Sequence, residues 1–209
     1  MTAIDLITAR YGVTSLDPPY PIALPGAKRA DLPGLFAELG YTRGAEIGVW
    51  QGEYAEILCA GCPGLHLIAV DPWAAYDDYN DYKMKRSMRD AFDATLVRLG
   101  PYPHTILPQR SVDAAKHIDD ESLDFVYIDG NHRFDYVVAD LAAWTPKVKR
   151  GGIVAGHDYK NIPARKQDCR VVEAVTGWTT SYGIAPWFVL GRERTHHRDK
   201  HRSWLYVKA

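Results

Sequence analysis

LDFVYIDGNHRFDYVVADLAAWTPKVKRGGIVAGHDY, residues 123–159, decides the fold. Two apolar runs, 125–128 and 153–155, each end in residues that ionise. The first ends in Asp129-Gly130-Asn131-His132 and the second in Gly156-His157-Asp158-Tyr159. Between them Phe134, Val137, Val138, Leu141 and Trp144 recur at steps of three and four, the spacing of one helix face. The unit reads as strand, helix, strand. Such a unit makes a right-handed crossover with parallel strands. Both strands then end at one edge of the sheet, where open α/β sheets bind ligands. Asp129, His132, His157 and Asp158 are expected to converge there.

The stretch upstream supplies what that edge needs. Residues 45–54 read AEIGVWQGEY, an apolar strand opening into a turn with glycines four apart and then a helix. Glycine lets a backbone pass close to a ligand, and a helix start offers unpaired N–H groups. The spacing is Glu-x-Gly-x-x-x-Gly, not the Gly-x-Gly-x-x-Gly of dinucleotide binders. A second apolar run, 65–70, ends in Asp71-Pro72-Trp73, with Asp71 23 residues after Gly48. An acid at the end of the second strand is where a ribose is gripped, its two oxygens accepting from the two ribose hydroxyls. The packing reading, a turn or cap residue, is the weaker one once the glycine turn stands in front of it.

The other segments are simpler. Residues 1–30 read as an extension: a short amphipathic helix, then an arm in which Pro18, Pro19, Pro21 and Pro25 forbid regular structure. It packs on the surface, covers the site, or makes a dimer contact in a homo-oligomer. One domain over residues 31–209 follows. Asp31 starts a helix that Gly40 stops. Residues 74–82, with Tyr76, Tyr79 and Tyr82, form a lid or a solvated helix start. A helix over 81–99 places Met84, Met88, Phe92, Leu96 and Leu99 on one face. A strand at 105–107 leads through Arg110 and Ser111 to a helix at 112–117, beside the nucleotide pocket. A helix at 168–175 precedes a terminal antiparallel hairpin read from 178–182, 187–190 and 203–207.

The totals exclude several classes. The chain has 209 residues, a net charge of −1 and 46% hydrophobic residues. That charge gives no electrostatic case for nucleic acid or an anionic membrane. No apolar run approaches the ~20 residues of a membrane helix, and the first residues lack the apolar core of a leader. Three cysteines argue against a disulfide framework and fit a reducing, cytoplasmic setting. Cys59-Ala-Gly-Cys62 lies at a helix end, without dipole support for a thiolate, and reads as packing. His196, His197 and His201 read as a solvated link.

The order of these features resembles that of class I S-adenosylmethionine-dependent methyltransferases, most closely methyltransferase family 24. The motifs are 46–52 (EIGVWQG), 70–73 (VDPW), 124–132 (DFVYIDGNH) and 151–159 (GGIVAGHDY). The resemblance implies a Rossmann-like α/β fold: a seven-stranded, mostly parallel sheet, an antiparallel C-terminal hairpin, and helices on both faces. It implies S-adenosylmethionine as cofactor. Glu46, Gly48, Trp50 and Gly52 then surround its methionine part, Asp71, Pro72 and Trp73 its ribose, and Arg110 and Ser111 its adenine, with Asp129 nearby. It also implies a divalent metal, Mg²⁺ or Mn²⁺, at Asp129, His157 and Asp158. The histidine departs from the usual oxygen donors and suits Mn²⁺, Fe²⁺ or Zn²⁺ better than Mg²⁺. Phe134 stands where relatives commonly carry tyrosine.

Methyl transfer from a sulfonium needs a nucleophile held in line and made electron-rich. A metal can stabilise the alkoxide, or a neutral imidazole can take the proton. His132, Asp129 and His157 are the candidate catalytic groups, with His132 as base; capping contacts at a helix start are its structural alternative. The acceptor is a small molecule carrying a hydroxyl, though sugars, phenols, polyketides and N-linked acceptors stay open. The other classes are a non-catalytic cofactor-binding accessory or sensor, and a nicotinamide oxidoreductase that the glycine spacing disfavours.

Overall fold

A computed structural model describes residues 1–74, 85–162, 168–191 and 201–209. The tyrosines 76, 79 and 82, Met84, most of the loop after Asn161 and Ile162, and the histidines 196 and 197 lie outside the described residues. The strands are β1 (Ile22–Leu24), β2 (Arg43–Ile47), β3 (His66–Val70), β4 (His104–Leu107), β5 (Leu123–Ile128), β6 (Val148–Gly156), β7 (Asn161–Ile162), β8 (Cys169–Arg170), β9 (Trp187–Leu190) and β10 (Ser203–Val207). The helices are α1 (Ala3–Tyr11), α2 (Leu32–Glu38), α3 (Glu53–Gly61), α4 (Lys85–Leu99), α5 (Ser111–Ala115), α6 (Phe134–Trp144) and α7 (Val171–Ser181).

β5 and β6 pair in parallel around α6, as the crossover requires. The main sheet runs β1-β9-β10-β6-β5-β2-β3-β4, and β7 and β8 form a separate ladder. The chain winds outward from β2 through β3 to β4, then returns to lay β5 beside β2. The crevice of such a sheet lies at that reversal, outside the carboxyl ends of β2 and β5.

Strand periodicity sorts the core. On β5, Phe125 and Tyr127 join one cluster with Ile7, Leu35, Phe36 and Leu58 from α1, α2 and α3. Val126 and Ile128 join the other, with Val137, Leu141, Trp144 and Val175 from α6 and α7. Alternate residues of a strand face opposite sides, so a strand buried throughout demands helices on both faces.

Two sequence expectations are corrected. The sheet has eight strands, not seven, because the proline-rich arm contributes β1, which pairs in parallel with β9 through Ile22 and Phe188. An edge strand needs only one ladder, so neighbouring prolines are tolerated there. Residues 178–182 are not a sheet segment: α7 extends to Ser181, burying Val171, Ala174, Val175 and Thr179 on one face. The alternation of Trp178 and its neighbours is short enough to fit either period, and the helical face wins by burial. On α4 the inward face carries Met88, Ala91, Thr95 and Leu99, while Leu96 is exposed.

Candidate active site

The strand tips are stitched together beyond the sheet. Gly48 N–H donates to Val70 O at 2.8 Å, Asp129 N–H to Ile47 O at 2.7 Å, and His157 N–H to Ile128 O at 3.0 Å. Three non-glycine residues at these tips, Trp50, Trp73 and Asp158, hold positive φ. That conformation costs of order 1–2 kcal/mol each and gathers where a fold over-determines a site.

The tips carry one compact cluster. His132 Nε2 lies 3.1 Å from Asp158 Oδ2 and 3.4 Å from Asp129 Oδ1. His157 Nδ1 lies 3.5 Å from Asp129 Oδ2 and 3.5 Å from Asp158 Oδ1. The four residues expected to converge do so. Arg29, from the N-terminal extension, stands 3.5 Å from Asp129 Oδ2, its guanidinium over the Tyr54 ring. Lys160 Nζ stands 3.0 Å from Asp158 Oδ1. His201, read from the sequence as part of a solvated link, brings its ring within 6.3 Å of that of His157. Burial alone would raise Asp129, but the His157 and His132 imidazoles outweigh it and hold the carboxyl well below its usual range. Burial would lower His132, but Asp129 and Asp158 outweigh it and raise its pKa.

Asp129, His132 and Asp158 each offer one donor atom, all within 4.8 Å of one another. The donor set therefore fits a divalent ion in type and spacing, with His132 rather than His157 completing this trio. Two carboxylates and an imidazole suit Mn²⁺ better than Mg²⁺. Arg29 and Lys160 already counter the charge of both carboxylates without an ion.

Beside the cluster lies a cavity of about 420 Å³, lined among others by Gly48, Asp71, Pro72, Arg110, Ser111, Gly130 and Asp140. Trp50, Trp73 and Gly52 do not line it. Trp50 N–H donates to Asp71 Oδ2 at 3.0 Å and Trp73 N–H to Asp71 Oδ1 at 2.8 Å. Trp73 Nε1–H donates to Trp50 O at 2.7 Å, and its ring packs on Phe92. Both tryptophans brace the acid. Burial raises Asp71, partly opposed by those two N–H groups.

The two turn glycines serve the protein's own packing. A Cβ on Gly48, at φ 89°, would overlap the Asp129 carbonyl and the Gly130 backbone. One on Gly52 would lie 3.1 Å from Thr95 Cα on α4. Glu46 is buried, its Oε2 has no hydrogen-bond partner among the described residues, and burial together with Asp129 pushes its pKa well up.

Asp140 on α6 was not anticipated. It is 4% exposed and faces the cavity. Burial pushes its carboxyl up to about 7, with the Ser111 hydroxyl pulling the other way. Its signal was present: among Val137, Leu141 and Trp144, it is the one acid on the apolar face of the helix. Arg29 gave no such signal, since nothing in the arm's composition ties it to strand tips a hundred residues away. Cys59, Cys62 and Cys169 are free and buried; burial lifts the Cys59 thiol to about 12, which suits packing rather than redox work. No helix among the described residues is long and apolar enough to cross a membrane.

Comparison with known proteins agrees with this geometry. The chain matches an uncharacterized protein of Sinorhizobium fredii, y4gI, at 28% identity over 108 residues, which is 50% of this chain but only 11% of the relative's length. Among solved structures, the O-methyltransferase from Bacillus cereus in complex with SAH superposes with TM-score 0.61 at 13% identity, covering 99% of this chain and 90% of that one. An O-methyltransferase family protein from Burkholderia thailandensis gives TM-score 0.59 at 14% identity, over 86% of this chain and 55% of the other. At such identities the likeness is one of fold, the Rossmann-like fold of class I methyltransferases. The family model for a methyltransferase domain, methyltransferase 24, matches residues 45–159, from the strand before the glycine turn to the last residue of the GHDY tip. With more than half its length matched, and the cavity and the strand-tip cluster formed from within that span, this chain belongs to the methyltransferase family 24.

Proposed function

We propose that this protein is an S-adenosylmethionine-dependent methyltransferase acting on a hydroxyl of a small molecule. One observation carries the reading: a cavity at the β2–β5 crevice lined, among the described residues, by the acids Asp71, Asp113, Asp135 and Asp140 together with Arg110. Such a wall repels pyrophosphate and favours a neutral or cationic nucleoside. It speaks against a nicotinamide dinucleotide and suits a sulfonium. Glu46, which is not among the residues lining the cavity, leaves a buried carboxyl oxygen without a hydrogen-bond partner among the described residues, and such an oxygen costs free energy until a cation or donor meets it. The α-ammonium of the methionine part is such a cation. Asp71, fixed by two backbone N–H groups, keeps lone pairs for the ribose hydroxyls.

In the catalytic step His132 takes the proton from the acceptor hydroxyl as the methyl moves. Asp158 and Asp129 orient its imidazole through Nε2 and favour the imidazolium that results. A second reading has a specific observation behind it, the convergence of Asp129, His132 and Asp158 on one point. Those three would hold a divalent ion, which when bound stabilises the acceptor alkoxide. An accessory or sensor role, binding cofactor without turnover, is the reading from another class; the assembled acid–imidazole cluster argues against it.

Calorimetry with S-adenosylhomocysteine tests the cofactor assignment: binding is expected, and Asp71→Ala should weaken it at least about tenfold. Absence of heat with the wild-type protein would refute the assignment. Turnover that survives EDTA favours His132 as base; turnover lost on chelation and restored by Mn²⁺ favours the ion.

A further inference from the structure

The strand tips hold two fixed cations that the proposed chemistry leaves unused. We propose that Arg29 and Lys160 stand in for a divalent ion at the acid–imidazole cluster: a built-in cation pair that meets the charge of Asp129 and Asp158 and keeps a metal out. This deepens the reading of the strand-tip cluster given above and rests on it, deciding between its base and its ion forms.

Each acid divides its oxygens in the same way. Asp129 turns Oδ1 to His132 Nε2 and Oδ2 to Arg29 and His157. Asp158 turns Oδ2 to His132 Nε2 and Oδ1 to Lys160 and His157. The row runs Arg29, Asp129, His132, Asp158, Lys160, with His157 bridging the two acids. Asp158 Oδ1 accepts no aligned hydrogen bond among the described residues, so its 3.0 Å contact with Lys160 Nζ is an ion pair first. Two carboxylates are thus met by two permanent cations, and these four charges sum to zero. An ion held by Asp129, His132 and Asp158 would set two further positive charges beside a guanidinium and an ammonium. Like charges that close repel strongly where water is largely excluded.

Both cations are held in place, unlike ordinary surface side chains. Their side chains are only 25% and 17% exposed, and covering a long cationic side chain to this degree calls for a partner. The Arg29 guanidinium lies over the Tyr54 ring and hydrogen-bonds the buried Tyr127 hydroxyl, and the Arg29 carbonyl accepts from the Tyr54 hydroxyl at 2.9 Å. The β1–β9 ladder anchors the arm just before it. Lys160 is fixed from the other side. Cys169 Sγ on β8 donates to the Lys160 carbonyl at 3.4 Å, and the neighbouring Arg170 N–H donates to His132 O at 2.8 Å. β8 therefore ties Lys160 and His132 into one frame. Two segments far apart in sequence each deliver one cation to one acid.

The probe is Mn²⁺ alone, titrated into the full chain and read by the electron paramagnetic resonance of the free aqua ion, which fades on binding. The wild type should take up Mn²⁺ only with Kd above about 1 mM. Arg29→Gln combined with Lys160→Met removes both charges and should bind at least about tenfold more tightly. Wild-type uptake tighter than about 1 mM overturns the proposal, and so does a double variant that gains less than about tenfold. Arg29→Lys combined with Lys160→Arg keeps both charges in altered shapes and should exclude the ion as the wild type does. If it binds Mn²⁺ as tightly as the uncharged pair, vacated space and not charge controls entry, and the proposal falls. Should the uncharged double variant fail to fold, Lys160→Met alone is titrated: a tighter Kd than wild type supports the proposal, and an unchanged one overturns it. These titrations need neither cofactor nor acceptor. A wild type that binds no S-adenosylhomocysteine would end the cofactor reading and leave the ion result standing, while tight Mn²⁺ uptake by a wild type that does bind it would end this proposal alone.

Discussion

Asp129 at the strand tips and Asp140 on the cavity wall belong to the same β5–α6–β6 unit, yet their carboxyls are driven in opposite directions. Asp129 has His132, His157 and Arg29 within 3.5 Å and is held well below its usual range. Asp140 has a hydroxyl and apolar helix neighbours, and burial lifts it to about 7. Burial acts the same way on both acids. What differs is what offsets it: the imidazoles of His157 and His132 at Asp129, and only the Ser111 hydroxyl at Asp140. The tips thus pair their acids with cations, while the described cavity wall gathers Asp71, Asp113, Asp135 and Asp140 around Arg110.

The largest expected effect tests the first half of that contrast. His132→Ala should lower kcat by roughly 10²–10⁴, the range for a lost general base. Binding of S-adenosylhomocysteine should stay within about threefold, because His132 is not among the residues that line the cavity. Single-turnover kinetics beside calorimetry separates the two. A fall in nucleoside affinity equal to the fall in rate would mean that tip and cavity are not distinct regions.

The second half is tested through pH. A carboxyl whose folded-state pKa is raised to about 7 from the model-compound 3.8 binds its proton more tightly in the folded protein. Its contribution is harmless below about pH 4 and becomes a growing penalty as pH rises through about 7. Asp140→Asn removes that penalty. The variant should therefore gain on wild type by roughly 2–4 kcal/mol between pH 4 and pH 8. The groups that face Asp140 are Asp71, Arg110 and Asp113 from β3 and α5, and Asp135 and Tyr136 on its own helix. Urea midpoints at the two pH values read the difference, and a gap that does not widen with pH would show the carboxyl to be charged and compensated like Asp129.

Gly48 is the seam between the regions. Its backbone closes on the Asp129 carbonyl at positive φ, so Gly48→Ala combines a strained conformation with a collision. A loss of about 2–3 kcal/mol is expected. Gly48 also lines the cavity, so affinity for the nucleoside should fall with stability. A variant of normal stability that has lost only binding would restore the simpler view that this glycine exists for the ligand alone.

That outcome bears on how much the sequence could disclose. The crossover unit was legible because its helix period and its two strand runs are long enough to be unambiguous, and topology then forces Asp129, His132, His157 and Asp158 to one edge. Asp71 was legible for the same reason. Gly48 and Gly52 were noticed, but the atoms that require them, Asp129 O and Thr95 Cα, lie on strands and helices whose approach no local pattern encodes. β1 stayed hidden because three residues among prolines carry no period; its partner β9 makes it a strand. Trp50 and Trp73, expected around the cofactor, hold Asp71 through their backbone N–H groups and do not line the cavity, since aromatic residues at a site serve equally as braces. Asp140 could have been found, since an acid in register with Val137, Leu141 and Trp144 contradicts the face it sits on.

The smallest effect is the most selective. Trp144 is fully buried, and its indole N–H is the donor that orients Ser111. Trp144→Phe keeps an aromatic ring in the α6 core but removes that donor. Some loss of stability, about 1–2 kcal/mol, follows from the smaller ring and the lost hydrogen bond. The further consequence falls on the cavity alone. Without the indole, the Ser111 hydroxyl loses its hydrogen-bond donor, and the edge of the cavity between α5 and α6 loosens. Nucleoside affinity should then weaken by about three- to tenfold, while turnover at saturating substrate, which the proposed mechanism assigns to His132, should hardly change. Steady-state kinetics with KM and kcat measured separately distinguishes this from general loosening, because a fall confined to kcat would mean that Trp144 acts on the strand tips through β6 instead of on the cavity through Ser111.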